Sequence, residues 1–270
     1  MMKKILKGQI LSNQEIAKDI YKMTIQAEFP EKIKAGQFVN IYLDDKSMLL
    51  PRPISICDVC DDVITIVYGV VGKGTRLLST YKQQTELKIS TPLGNGYFID
   101  GKDLGGVTES YNGKKVVVVG GGIGVPPMLL LSKMLKAKGA DVTAVIGFRS
   151  EPFLEEELKE YCSNVFVATD DGNKGFKGNT VEMIKENGIL GDEFFSCGPK
   201  IMLKALSEFC EEKNIPCQVS LEERMGCGYG ACVGCTCKVK VQTENGVEIK
   251  QKGVCKHGPV FYGKEVAWNE

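Results

Sequence analysis

The rhythm of hydrophobic and polar positions changes twice along this chain. Through the first hundred residues, apolar positions recur in short β-branched runs. Residues 16–27 alternate loosely, Gln37-Phe38-Val39-Asn40-Ile41-Tyr42-Leu43 alternates, and Asp62-Val63-Ile64-Thr65-Ile66-Val67-Tyr68 is a further run. Short strands with turn signals between them predict a small antiparallel barrel over residues 1–100. From Lys114 the pattern becomes strand and helix in turn. Lys115-Val116-Val117-Val118-Val119 is continuously apolar, as expected of a parallel strand covered on both faces. Helices are predicted over 128–138, 153–161, 179–186 and 200–213, and strands over 141–148, 164–169 and 193–197. That alternation predicts a doubly wound parallel-sheet α/β domain over 101–213, with ligands at the carboxyl ends of its strands. Residues 213–216 read as a linker into a small lobe, 214–270. There 238–241 and 247–250 alternate around Glu244-Asn245-Gly246, a strong hairpin signal. The fold class is therefore multidomain, β followed by α/β, with a C-terminal appendage.

Composition narrows the field. With 43% hydrophobic and 25% charged residues, the 270-residue chain is ordinary globular protein. A formal net charge of zero gives no general attraction to nucleic acid or an anionic membrane. No apolar run reaches the ~18 residues of a membrane span. Met1-Met2-Lys3-Lys4 followed by Ile5-Leu6-Lys7-Gly8 is too polar for a signal peptide, so a cytoplasmic protein is expected. The eleven cysteines then read as thiols and metal ligands rather than as disulfides. Glu155-Glu156-Glu157 reads as a solvent-facing helix start, favoured by the helix dipole. Lys133, Lys136 and Lys138 read as a solvated helix face, and Asp170-Asp171-Gly172 as a solvated turn on the ligand side.

The most specific chemistry lies in the small lobe, in Gly226-Cys227-Gly228-Tyr229-Gly230-Ala231-Cys232-Val233-Gly234-Cys235-Thr236-Cys237 and Gly253-Val254-Cys255. C-x4-C-x2-C with a later fourth cysteine is the plant-type spacing for a [2Fe-2S] cluster, held by four thiolates. A loop around a cluster needs positive φ angles and close backbone N–H groups, which the glycines permit. Five cysteines compete for four places. Because Cys237 begins the alternating strand, it is expected to point away, leaving Cys227, Cys232, Cys235 and Cys255 as the metal ligands. A structural zinc knot is the rival, but it usually needs two C-x2-C pairs or a Cys/His mixture, and the single histidine, His257, is not at such a spacing. So small a lobe has little core of its own, and metal would help hold it together. Val260, Phe261, Tyr262 and Trp268 are expected either to pack over the hairpin or to face a partner.

Two further motifs sit in the barrel. Arg52-Pro53-Ile54-Ser55 combines a stiff strand entrance, a planar guanidinium suited to a diphosphate and a hydroxyl able to bond a flavin edge. Gly72-Lys73-Gly74-Thr75 opens a helix-like segment, where backbone amides make an anion site for pyrophosphate. In the α/β domain, Gly120-Gly121-Gly122-Ile123-Gly124-Val125-Pro126-Pro127 follows the first strand. It departs from a strict G-x-G-x-x-G yet still supplies a tight turn and amides for a nucleotide. Cys197-Gly198-Pro199 ends another strand where a nicotinamide could rest, although Cys197 could instead be a small buried apolar residue, the commoner fate of a free cysteine.

In this order, Arg52-Pro53-Ile54-Ser55, Gly74-Thr75, Gly120 to Pro127 and Cys197-Gly198-Pro199 resemble the ferredoxin-reductase superfamily. With the cysteine loop and Val254-Cys255-Lys256-His257-Gly258-Pro259-Val260-Phe261 added, nearly the whole chain resembles the electron-transfer subunits of class 1B dihydroorotate dehydrogenases. One departure is His257, where an acid is common in that family. The resemblance implies FAD bound at Arg52–Ser55, at Val67-Tyr68-Gly69 and at Gly74-Thr75, with NAD bound in the α/β domain. It also implies a separate FMN-containing, dihydroorotate-oxidising subunit, assembled as a heterotetramer with two copies of each chain, in pyrimidine biosynthesis. Electrons would run from FMN through the cluster and FAD to NAD, so no acid–base catalytic residue is expected in this chain. Subunits of NADH-dependent ferredoxin:NADP oxidoreductases or sulfide dehydrogenases share barrel and nucleotide domain and form a second reading. A zinc-containing, non-catalytic binding protein forms a third. Arg149, after the second strand, would meet either a 2′-phosphate or solvent, which leaves NAD against NADP open.

Overall fold

The computed structural model of the protein describes residues 4–100, 110–244 and 246–269; the readings that rest on Met1, Met2, Lys3 and Asn245 lie outside them. Six antiparallel strands close a barrel in the order β1-β2-β5-β4-β3-β6. They are β1 (Ile5–Ala17), β2 (Ile20–Gln26), β3 (Phe38–Tyr42), β4 (Arg52–Cys60), β5 (Val63–Gly69) and, after helix α1 (Lys73–Ser79), β6 (Glu86–Ser90). Alternation drives this closure. Ile10, Met23, Ile25, Ile56, Ile64, Ile66 and Ile89 all point inward and are fully buried. The loosely alternating stretch 16–27 proves to be two strands. Lys18-Asp19 turns the chain, with Asp19 at φ 60°, and no glycine or proline announces it.

The second layer system is a seven-stranded sheet in the order β10-β9-β8-β7-β11-β12-β15. Its elements begin with β7 (Lys115–Gly121), α2 (Pro126–Ala137), β8 (Asp141–Phe148), α3 (Glu155–Lys159), β9 (Asn164–Thr169) and β10 (Phe176–Lys177). Then follow α4 (Thr180–Glu186), β11 (Glu193–Cys197), α5 (Lys200–Glu212) and β12 (Cys217–Ser220). Val116, Val117, Val118 and Val119 are buried on both faces, as a central parallel strand requires. The side chain of Asn179 accepts from the N–H groups of Val181 and Glu182, so it caps α4 rather than beginning it.

The tail departs from expectation. Beyond β12 lie the hairpin β13 (Thr236–Thr243) and β14 (Gly246–Gly253), the short helix α6 (Val254–His257) and β15 (Val260–Tyr262). The hairpin stands alone as a two-stranded sheet. By contrast β12 pairs in parallel with β11, and β15 pairs antiparallel with β12, so both belong to the large sheet. Val260 and Phe261 therefore pack in that sheet instead of covering the hairpin. Strands of three and four residues carry too little periodicity to reveal this from sequence.

Charges that pattern alone marks as solvated form polar ties, some of them between barrel and sheet. Lys133 Nζ on α2 donates to Asp58 Oδ1 at 2.8 Å and to the Val59 carbonyl at 2.9 Å, both on β4. Lys138 reaches Asp100 and Lys136 reaches the Glu160 carbonyl. Likewise Glu157 pairs with Lys22 of the barrel at 2.9 Å, and Glu155 pairs with Lys159 and Lys174. The chain between barrel and sheet is held by Tyr97, which is 1% exposed and donates its hydroxyl to the Ser196 carbonyl at 2.8 Å.

Candidate cofactor sites

The two barrel motifs, about twenty residues apart in sequence, meet in space. β4 begins at Arg52, and its guanidinium lies over Gly74 in the first turn of α1. A Cβ on Gly74 would stand 2.0 Å from Arg52 Nε. Arg52 also donates to the Leu50 carbonyl at 2.7 Å, which fixes its fork. Thr75 Oγ1 accepts from the Val71 and Gly72 N–H groups at 3.0 and 3.3 Å, so it braces the entrance of its own helix. Val67, Tyr68 and Gly69 end β5. Tyr68 is 2% exposed, stacks on Tyr21 and donates to Asn13 Oδ1 at 2.9 Å. Burial pushes its phenol upward, so this hydroxyl keeps its proton. Pro53, Ile54 and Ser55 follow Arg52 on β4, where Ser55 pairs with Phe38 of β3.

The nucleotide motifs also converge. Gly120 and Gly121 lie in β7, and Gly122, at φ 53°, opens a single 3-10 turn ending at Gly124. Pro126 and Pro127 then start α2, where their missing N–H groups cost nothing. A Cβ on Gly124 would stand 2.3 Å from the Cys197 carbonyl oxygen, and one on Gly121 would meet Pro199 at 2.9 Å. Only glycine lets the loop touch Cys197-Gly198-Pro199 this closely. Cys197 is half-buried, and burial pushes its thiol up to about 12, against a hydrogen bond with Ser220. The end of β5 lies against the Gly122–Gly124 turn, so the barrel and nucleotide motifs share one seam.

In the cluster loop the four expected ligands stand two and two. Backbone N–H groups link Cys232 to the Cys227 sulfur and Cys255 to the Cys235 sulfur. Cys227 Sγ accepts from the N–H groups of Ala231 at 3.3 Å and Cys232 at 3.4 Å, and Cys235 Sγ accepts from the Cys255 N–H at 3.4 Å. Burial pushes the Cys227 thiol up, but the N–H groups of Tyr229, Cys232 and Ala231 outweigh it and hold it down at about 6. Gly228 and Gly230 take φ of 78° and 89°, as a loop of inward amides requires, and Val233 takes φ 57°. A β-branched residue in that region is an outlier that pattern reading missed. Two pairs of thiols suit two irons. Cys237 lies outside the quartet, and its thiol meets the Lys252 carbonyl across the hairpin at 3.5 Å. His257 Nδ1 accepts from the Gly253 N–H at 3.2 Å and so supports the Cys255 segment.

Sequence reasoning missed two asparagines that tie this loop to the barrel. Asn40 of β3 donates to the Cys227 carbonyl at 2.9 Å, and Asn95 donates to the His257 carbonyl at 3.0 Å. An amide inside a β-branched run is the one signal that marks Asn40.

A closed antiparallel barrel, a nucleotide sheet and a thiolate loop define a flavin- and nucleotide-linked reductase that carries its own iron–sulfur centre. Residues 222–267 match the iron-sulfur cluster binding domain of dihydroorotate dehydrogenase B. Over 261 residues the chain is 40% identical to the dihydroorotate dehydrogenase B (NAD(+)) electron transfer subunit of Caldanaerobacter subterraneus subsp. tengcongensis, covering 97% of this chain and 98% of that one. It is 38% identical to the subunit of the same name from Clostridium acetobutylicum, over 100% of both chains. Among solved structures, the NADH-dependent reduced ferredoxin-NADP oxidoreductase superposes with a TM-score of 0.82 at 28% identity, over 97% of this chain and 90% of that one. The chain belongs to the family of dihydroorotate dehydrogenase B (NAD(+)) electron transfer subunits. Among the described residues no helix is long and apolar enough to cross a membrane.

Proposed function

We propose that this protein relays electrons between a separate FMN-containing, dihydroorotate-oxidising subunit and NAD, in the cytoplasm, in pyrimidine biosynthesis. A nicotinamide exchanges two electrons as hydride and a [2Fe-2S] cluster one at a time, and FAD, able to do both, joins them. The observation that carries this reading is the direct tie between seats: the β3 strand that pairs with the flavin motif also hydrogen-bonds the cluster loop at Cys227.

The chain's own residues would work by placement. Arg52 supplies a charged fork beside Gly74, where a dinucleotide pyrophosphate would lie, and Pro53, Ile54, Ser55 and Thr75 shape that seat with Val67, Tyr68 and Gly69. Gly122, open on the side where a Cβ would stand, leaves room for a second pyrophosphate; Gly120, Gly121 and Gly124 let the loop pack closely beside it, and Cys197, Gly198 and Pro199 would form the floor on which a nicotinamide rests. Cys227, Cys232, Cys235 and Cys255 hold the cluster. A heterotetramer of two copies of each subunit would set the cluster loop against the FMN subunit.

The test is the visible spectrum, flavin content and iron content of the pure protein, with co-purification of its partner. FAD, two irons per chain and a flavin-bearing dihydroorotate oxidase are expected. The likeness to the ferredoxin-NADP oxidoreductase supports a second reading at lower identity, 28% against 40%. Co-purification with a large glutamate-synthase-like iron–sulfur protein would establish that one instead.

A further inference from the structure

We propose that Asn40 is the positioning residue through which the flavin barrel holds the cluster loop at the separation that electron exchange requires. The inference rests on the function proposed above. Asparagine is disfavoured within strands, yet this one sits in the middle of β3 between Val39 and Ile41, and all three are fully buried. The barrel core has no need of it. Its backbone N–H goes to Ser90 Oγ at 2.9 Å, which any residue at this position would offer. Its side chain instead leaves the barrel: Nδ2 donates to the carbonyl of Cys227, 187 positions away in sequence, at 2.9 Å. Oδ1 has no donor among the described residues. A buried amide with one bond made and one acceptor unmet is a poor stabiliser, so its presence points to function.

Both neighbours of Asn40 belong to cofactor seats. In register it faces Pro53 on β4, inside the Arg52–Ser55 motif. On the other side it touches Gly228, directly after the first cysteine. Gly228 lies at φ 78°, and a Cβ there would stand 2.6 Å from Asn40 Nδ2 and 2.8 Å from Oδ1. One hydrogen bond and one close packing contact thus set how near the Cys227 end of the loop approaches the strand beside the flavin motif. Asn95 holds the Cys255 end separately, through the His257 carbonyl, so changing Asn40 would shift one end of the loop without releasing the other.

The experiment uses the full-length, cofactor-loaded protein and three variants, Asn40→Leu, Asn40→Ser and Gly228→Ala. Stopped-flow absorbance with NADH reads the flavin and cluster steps separately, electron paramagnetic resonance reads the reduced cluster, and thermal unfolding reads stability. Cluster reduction is expected to slow by about tenfold or more, since displacements of about an ångström are costly to placed reactants. Flavin reduction should stay near the wild-type rate, the resonance signal should shift, and Asn40→Leu should be no less stable than wild type. An unchanged rate and signal in all three variants would overturn the proposal. So would loss of iron from all three, because Asn40 would then build the cluster seat instead of placing it. Wild-type protein free of flavin and iron would instead sink the functional reading on which this one stands.

Discussion

The guanidinium of Arg52 fills the space that a side chain on Gly74 would need, with Nε 2.0 Å and Nη2 2.3 Å from the position of an added Cβ. A methyl there must displace the guanidinium and break its hydrogen bond to the Leu50 carbonyl, but a side chain can move where backbone cannot. Gly74→Ala is therefore expected to spare the fold, because alanine also favours helix α1 by about 1 kcal/mol over glycine. FAD affinity should nevertheless fall about tenfold, or about 1.4 kcal/mol. Flavin titration of the apoprotein beside its thermal midpoint checks both halves.

Gly124 differs, because its obstacle is backbone. A Cβ would stand 2.3 Å from the Cys197 carbonyl oxygen and 2.6 Å from the Gly198 nitrogen, and neither can swing aside. Gly124→Ala should destabilise the protein by about 1–3 kcal/mol, as overpacking does. It should also weaken NADH binding. Denaturant unfolding and the KM for NADH, with flavin content unchanged, test this.

The thiol pairing makes unequal predictions for neighbouring cysteines. Cys232→Ser should abolish the cluster absorbance and leave FAD bound, since Cys232 stands beside Cys227, to whose sulfur its N–H donates, in the loop proposed to hold the cluster. Cys237→Ser should keep the full cluster spectrum, because its thiol faces the Lys252 carbonyl across the hairpin. Iron analysis and absorbance of the two variants, prepared without oxygen, decide between this quartet and one containing Cys237.

Acid should act through Glu155. Lys174 above all, with Lys159 adding to it, holds its carboxyl below the ordinary value of 4.5 against the opposing effect of burial. With the folded value depressed, the pair stabilises the protein above pH 4.5 and is lost as pH falls through the lowered value. Glu155→Gln is expected to be less stable than wild type at pH 7, with the gap closing on acidification. Denaturant midpoints measured at neutral and acid pH would reveal a constant gap if this is wrong.

Local chemistry was legible from sequence, and its partners in space were not. β-branched alternation determined the barrel, the valine run determined the central strand, and cysteine spacing marked the candidate metal ligands, because each depends on neighbours a few residues apart. The lysines of α2 looked solvated because their acceptors, Asp58 and the Glu160 carbonyl, lie 75 and 24 positions away. Strands β12 and β15 were invisible because three or four residues cannot show a period, and only pairing, of β12 with β11 and of β15 with β12, makes them strands. The chain by itself determined the three cofactors and marked a candidate seat for each. Tertiary structure alone decided how they join, through Gly74 under Arg52, Gly124 under Cys197 and Asn40 at Cys227, since close approach and a buried amide's partner are set by the whole packed chain.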